Sequence, residues 1–355
     1  MRPSVRTILV FALTLGLLGF FLRNADMAGV WAETRRADAG LLIAAVLATL
    51  ATYLVRAFRW QYLLAPLGAT SFWTAFRTTV IGFAASFLLP ARAGEVIRPY
   101  LLARRERLPP TAAFATIILE RLLDLVTVLL LFAFFVFTSA SDVVTADPSQ
   151  LARVKFGGGA AALAGLAALV LLFAVAGDPE RLGRAALHIE RVLPATLARA
   201  AARFVESFAQ GLAVMRQPRR LLVALALSLP LWMSIAAGIW MTTRAFHTTL
   251  PYTASFLIMT VLVVGVAMPT PGAVGGFHAA YQIAAQTFFA MPTDRAVGTA
   301  IVLHAVSFMP VTLLGIVFMA REGISLTRAR KLADTAAADG TSDTAKSQRA
   351  MRAVR

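Results

Sequence analysis

Long apolar runs separated by short charged stretches set the rhythm of this chain. Runs lie at about 5–22, 39–55, 72–90, 111–138, 157–176, 220–243, 252–268, 276–290 and 297–320. Most approach the ~20 residues that carry a helix across a bilayer core of ~30 Å. Hydropathy therefore predicts about eight transmembrane segments, and the fold class expected is an all-α, polytopic membrane helix bundle. A transmembrane domain over 1–325 accounts for nearly the whole chain.

Two polar regions interrupt the pattern. The insert 177–219 is rich in arginine, and within it Leu197, Phe204, Phe208 and Leu212 alternate with Arg199, Arg203 and Glu206. That spacing predicts an amphipathic cytoplasmic helix on the membrane surface over about 195–215. The tail 326–355 is basic, poor in large apolar residues and expected to be disordered.

Composition narrows the classes further. Hydrophobic residues make up 59% of the chain and charged residues 15%. There is no cysteine, which excludes disulfides, thiolate metal sites and cysteine nucleophiles. The formal charge is +16. In a membrane chain such an excess reports orientation and contact with anionic lipid, and no basic block interleaved with aromatics suggests nucleic acid. The first run follows Arg2 and Arg6 but ends at Arg23 and Asn24 without a small-residue cleavage pattern, so it is expected to stay as a helix.

Arginine placement sets the expected topology. Arg2 and Arg6 put the N-terminus in the cytoplasm, and the charge-balanced loop 23–38 lies outside. Arg56 and Arg59 return to the cytoplasm. If 72–90 then crossed the membrane, Arg92, Arg98, Arg104, Arg105 and Arg107 would be stranded outside. A re-entrant hairpin over 72–103 removes the conflict. Pro90 and Gly94 supply its break, since proline interrupts the backbone ladder and glycine permits the turn. Broken backbone at membrane depth needs protein or water around it, so the hairpin implies a cavity.

A second break, Pro269 to Tyr281, matches the first in spacing. Pro90, Gly94 and Tyr100 correspond to Pro271, Gly275 and Tyr281, with Gly272 and Gly276 alongside. Half-repeats at about 39–138 and 220–320 would then run in opposite directions. The architecture expected is six spanning helices plus two re-entrant hairpins in an inverted repeat, with both termini cytoplasmic. Gly94 and Gly275 would line one mid-membrane cavity.

Charge inside the run 111–138 is the main chemical signal. Glu120, Arg121 and Asp124 each cost about 2.5–3.5 kcal/mol at a helix centre. Glu120 and Asp124 share a face, and Arg121 can reach Asp124 from the i+3 position. With Glu95, these carboxylates are expected to orient Arg92 and Arg98, whose planar forks suit a phosphate. Arg56 and Arg59 divide between interfacial anchoring and headgroup contact, while Trp60 and Tyr62 read as interfacial anchors and Arg77 as snorkelling. Of the four histidines, His188 and His247 fall in polar loops. His278 follows the second break and suits a polar cavity wall; with His304 it has no carboxylate nearby in sequence, so no metal site is expected. No P-loop, nucleophile elbow or zinc-helix motif occurs, and no cofactor is expected.

At these residues the chain resembles a known family. R-x-x-R-W at 56–60, LLPARAGEVIRPYLL at 88–102, ERLLD at 120–124 and P-x-P-G-x-x-G-G at 269–276 are similar to the lysylphosphatidylglycerol synthase transmembrane region, also called flippase-like. The resemblance spans about residues 5–325. It implies a bacterial inner-membrane protein that moves or presents an anionic or modified lipid. Some relatives carry a cytosolic aminoacyl-transfer domain, which is not expected from the short tail here. Relatives often have a glutamate soon after the second glycine-rich break, where this chain has His278.

The function expected is a lipid flippase-like transporter rather than an enzyme. Lipid phosphate would dock on Arg92 and Arg98, with Arg56 and Arg59 where the lipid enters and the glycines permitting hinge motion. The alternative is a non-transporting, lipid-binding accessory to a separate glycosyltransferase or other lipid-modifying enzyme. Either way the partner is a membrane phospholipid or lipid-linked substrate.

Overall fold

The computed structural model describes residues 5–89, 92–138, 148–177, 207–268 and 270–323. Among them every regular element is a helix. In chain order these are α1 (Val5–Leu22), α2 (Met27–Arg36), α3 (Ala39–Leu64), α4 (Phe72–Leu88), α5 (Gly94–Glu106) and α6 (Pro110–Thr138). They continue with α7 (Pro148–Gly177), α8 (Pro218–Ala245), α9 (Ala254–Ala267), α10 (Gly276–Phe289) and α11 (Thr293–Arg321).

Among the described residues three helices, α3, α8 and α11, are long and apolar enough to cross a membrane by length and composition. Only 28%, 33% and 22% of their most apolar stretches is buried in protein. Large apolar side chains such as Leu47, Phe58, Leu222 and Leu313 face outward. That much exposed apolar surface is unsustainable in water and ordinary in lipid. The chain is a multi-pass membrane protein.

The described residues form two compact units. One comprises Met1–Val55, Asp124–Ala164 and Leu229–Leu314; the other comprises Arg56–Leu123, Gly165–Ser228 and Gly315–Arg355. In the first, α9 and α10 join Phe21 of α1, Val30 of α2 and parts of α6, α8 and α11 in one apolar core. In the second, three smaller clusters centre on Leu119, Trp60 and Ile97.

Each unit contains one broken hairpin. The helices α4 and α5 have 17 and 13 residues, about 25 and 20 Å at 1.5 Å per residue. Both α9 and α10 have 14 residues, or about 21 Å. None matches the ~30 Å core. Within each hairpin a glycine pair lets the helices touch. A Cβ on Gly94 would collide with the Gly82 carbonyl oxygen, and one on Gly276 with the Gly265 carbonyl oxygen. The contact pair thus matches Gly94 with Gly276, one residue beyond the Gly275 expected from spacing. Gly275 has a separate job: its φ of 87° makes the turn that starts α10.

Three further expectations meet the structure here. Residues 23–38, read as a loop, hold α2, started by Asp26, whose carboxylate accepts the N–H groups of Ala28 and Gly29, each at 3.1 Å. Most of the amphipathic helix expected over 195–215 lies outside the described residues. Its end is described, and Leu212, Val214 and Met215 bury against Leu63, Leu119 and Ala224, so this part packs on protein. Pro90 and the tail 326–355 lie outside the described residues.

Candidate functional site

In α3, the spacing of Arg56, Arg59 and Trp60 puts all three on one helix face. That face turns toward Glu120 of α6 in the second unit. Glu120 is fully buried, and four arginines converge on it. Arg98 of α5 binds it with both terminal nitrogens, Nη1 to Oε1 at 2.9 Å and Nη2 to Oε2 at 3.2 Å. Arg56 Nη1 and Arg121 Nη2 donate to Oε1 at 3.3 and 3.2 Å, and Arg59 Nη2 lies 3.8 Å from it. Four guanidinium groups against one carboxylate give these five side chains a formal charge of +3.

Polar and aromatic neighbours hold the arginines in place. Ser228 accepts from Arg59 Nη1 at 2.6 Å and donates to the Ala224 carbonyl at 2.9 Å. The Arg98 guanidinium lies 3.9 Å from the Trp60 ring centre, and the Trp60 indole N–H donates to Thr116 at 3.0 Å. The Phe83 ring faces Arg56, Arg98 and Arg121 at 5.0, 5.9 and 5.9 Å. A guanidinium over an aromatic face keeps a favourable electrostatic contact without neutralising its charge. The Arg121 side chain is 41% exposed, so one edge of the cluster is open.

The three expected carboxylates serve different partners. Glu120 pairs with Arg98, and Glu95 lies 3.6 Å from Arg92 across one turn. Asp124 accepts the Trp232 indole N–H at 2.9 Å in the other unit, and Arg121 reaches Glu120. Arg92 stands at the break with φ 52° and a side chain 45% exposed. Arg56 and Arg59, expected at an interface, are buried at the centre of the cluster, and Trp60 is buried with them. The physical reason is pairing: the carboxylate of Glu120, Ser228 and Thr116 give these groups partners inside the protein. Arg77 is exposed.

The second break, in the other unit, brings two histidines together. Rings of His278 and His304 lie 4.6 Å apart, centre to centre, with a 30° tilt. His304 Nε2 donates to the Gly272 carbonyl at 2.8 Å, and the Gly275 N–H donates to His278 Nδ1 at 3.4 Å. Pro271 and Gly272 form a short 3-10 turn between them. Among the described residues no group of three or more histidines and carboxylates could hold a metal ion.

Sequence reasoning missed Ser228, Thr116, Phe83, Gly82, Gly265 and the closeness of His304 to His278. Ser228 is a lone hydroxyl in the apolar run VALALSLPL, and that oddity was its one signal.

A helical chain with several helices long and apolar enough to cross a membrane is a polytopic membrane protein. It belongs to the family described as the lysylphosphatidylglycerol synthase TM region, which matches residues 7–315. Over 127 residues it is also 28% identical to Glycosyltransferase AglD of Haloferax volcanii, covering 35% of this chain and 20% of that protein. The match therefore spans about a fifth of that relative's length.

Proposed function

We propose that this protein binds the phosphate of an anionic or modified membrane lipid at the arginine cluster and moves that lipid between leaflets. The observation that carries this reading is the convergence of Arg56, Arg59, Arg98 and Arg121 on Glu120. A lipid phosphate at the open edge would add to the neutralisation that Glu120 gives these arginines. Arginine forks suit phosphate oxygens, and Arg92 at the nearby break is a further contact.

The inverted repeat, six spanning helices and cytoplasmic termini in a bacterial inner membrane belong to the same proposal. Support comes from the presence of one glycine-closed hairpin in each unit, in the chain order helix, hairpin, helix. No catalytic role is assigned to the cluster, because Glu120 is occupied as a counter-ion.

The second reading is a lipid-binding accessory to a separate lipid-modifying enzyme, favoured by the likeness to the Haloferax volcanii glycosyltransferase. Purified protein in liposomes containing fluorescent phosphatidylglycerol distinguishes the two. Transfer of label between leaflets supports transport; binding without transfer supports the accessory role. Absence of both refutes the assignment of the cluster to lipid phosphate.

A further inference from the structure

Both ends of the second break are held by an imidazole. Three residues of the break have left-handed φ: Gly272 at 60°, Ala273 at 57° and Gly275 at 87°. Such a backbone depends on its surroundings to stay in place, above all at the non-glycine Ala273. His304 supplies one clamp, through the Gly272 carbonyl. His278 supplies the other, through the Gly275 N–H.

These bonds fix where protons sit. A carbonyl only accepts, so His304 Nε2 carries a hydrogen. A backbone N–H only donates, so His278 Nδ1 carries none, and the neutral ring bears its hydrogen on Nε2. A proton arriving at His278 Nδ1 would occupy the lone pair that the Gly275 N–H now uses. One arriving at His304 Nδ1 would leave the Gly272 bond intact. At 4.6 Å between centres the two rings cannot both be charged without strong repulsion.

Among the described residues, no counter-charge lies against the two rings. Side chains against the rings are Phe21 of α1, Phe277 of α10 and Phe308 of α11. The break 271–275 has no ionisable side chain. On α1 the charged residue is Arg6, at the helix start, and Arg23, just past the helix end, lies over the Phe20 ring. On α10, Tyr281 shares a hydrogen bond with Thr243. On α11, Arg321 lies at the far end, while Asp294 and Arg295 at the start engage Asp26 and Glu33. The two imidazoles are thus each other's titratable neighbours.

We infer that His278 and His304 form a site for a single proton whose binding at His278 releases the Gly275 clamp and changes the conformation of the second break. If the transport reading above holds, this site couples lipid movement to the proton gradient. That last step rests on the reading; the proton site does not.

The chain lacks cysteine, so Val274→Cys, inside the break, can be labelled alone and compared with Pro292→Cys as an exposed control. In protein reconstituted into phosphatidylethanolamine–phosphatidylglycerol vesicles, the thiosulfonate labelling rate of position 274, divided by that of 292, should change severalfold as pH is lowered. His278→Gln and His304→Gln, each combined with Val274→Cys, should flatten that profile. Two variants are used so that poor accumulation of one does not end the test. A flat profile without the histidine changes, or the same profile with them, overturns the proton site. In a separate arm, acyl-labelled phosphatidylglycerol movement is compared under gradients of one pH unit in opposite directions. One coupled proton changes the ratio of rates by up to about tenfold, and a ratio of one overturns the coupling. No movement at all refutes transport and with it the coupling, while the labelling arm still decides the proton site.

Discussion

Arg98 grips Glu120 with both ends of its fork, at 2.9 and 3.2 Å, while its guanidinium lies 3.9 Å from the Trp60 ring centre. An arginine so held cannot swing out to meet a ligand. The cluster is therefore a fixed field, approached from the side of Arg121.

Glu120→Gln tests that field. The substitution removes the carboxylate charge that the four arginines share. Loss of one member of a buried ion pair typically costs about 3–5 kcal/mol, so folded yield in detergent should drop sharply. Added phosphatidylglycerol should recover part of the thermal stability. A Glu120→Gln protein as stable as the parent would show that the arginines are not mutually strained.

Arg98→Lys separates charge from shape. Lysine keeps the positive charge but loses the two-pronged fit to Glu120 and the flat contact with Trp60. Stability should fall by about 1–3 kcal/mol, as for a lost charge-assisted hydrogen bond. Thermal unfolding followed by size-exclusion in detergent gives the measurement, and no change would assign the pair a negligible role.

Glycine packing is testable by size. Gly94→Val and Gly276→Val would each drive a side chain into a facing carbonyl, and overpacking of this kind costs about 1–3 kcal/mol or more. Neither should accumulate as well as the parent. Gly159→Ala on α7 is the control, because a Cβ there meets nothing within 4 Å; it should be neutral or slightly stabilising.

Much of this arrangement was legible in the sequence, and the misses have physical causes. Apolar runs located the described long helices because lipid selects length and hydropathy together. By hydropathy the second run ends at residue 55, since Arg56 and Arg59 read as a membrane boundary. In fact α3 continues to Leu64, because both arginines find partners within the protein. Composition cannot reveal pairing. The short helix α2 hid in mixed charge, with Asp26 as its one start signal. Proline and glycine marked both breaks, yet repeat spacing aligned Gly94 with Gly275, whereas contact aligns it with Gly276. Spacing registers position along the chain, and a close approach depends on which carbonyl stands opposite.

At the far end of the first unit, α2 is tied to α11 by Glu33 and Arg295, with Arg295 Nε 2.7 Å from Glu33 Oε2. The hydrogen bond from Arg295 holds the Glu33 carboxyl below the usual range, opposed in part by burial. A lowered folded-state value means the stabilisation is present above the unfolded value and is lost as pH falls through the folded one. Melting temperature should therefore lose a small increment in that acid window, corresponding to less than about 1 kcal/mol for a partly exposed pair. Glu33→Gln should remove that part of the pH slope, and an unchanged slope would show that the pair contributes nothing.

Trp60 gives the cluster an optical consequence. Its ring lies against Arg98, its N–H is fixed on Thr116, and the whole side chain is shielded. Indole emission shifts with the electric field across the ring, and here that field comes from four guanidinium groups on a rigid mount. An anion arriving among them would change the emission colour without any attached dye. With the other tryptophans replaced by phenylalanine, Trp60 becomes a native voltmeter for headgroup arrival, readable during a single mixing experiment.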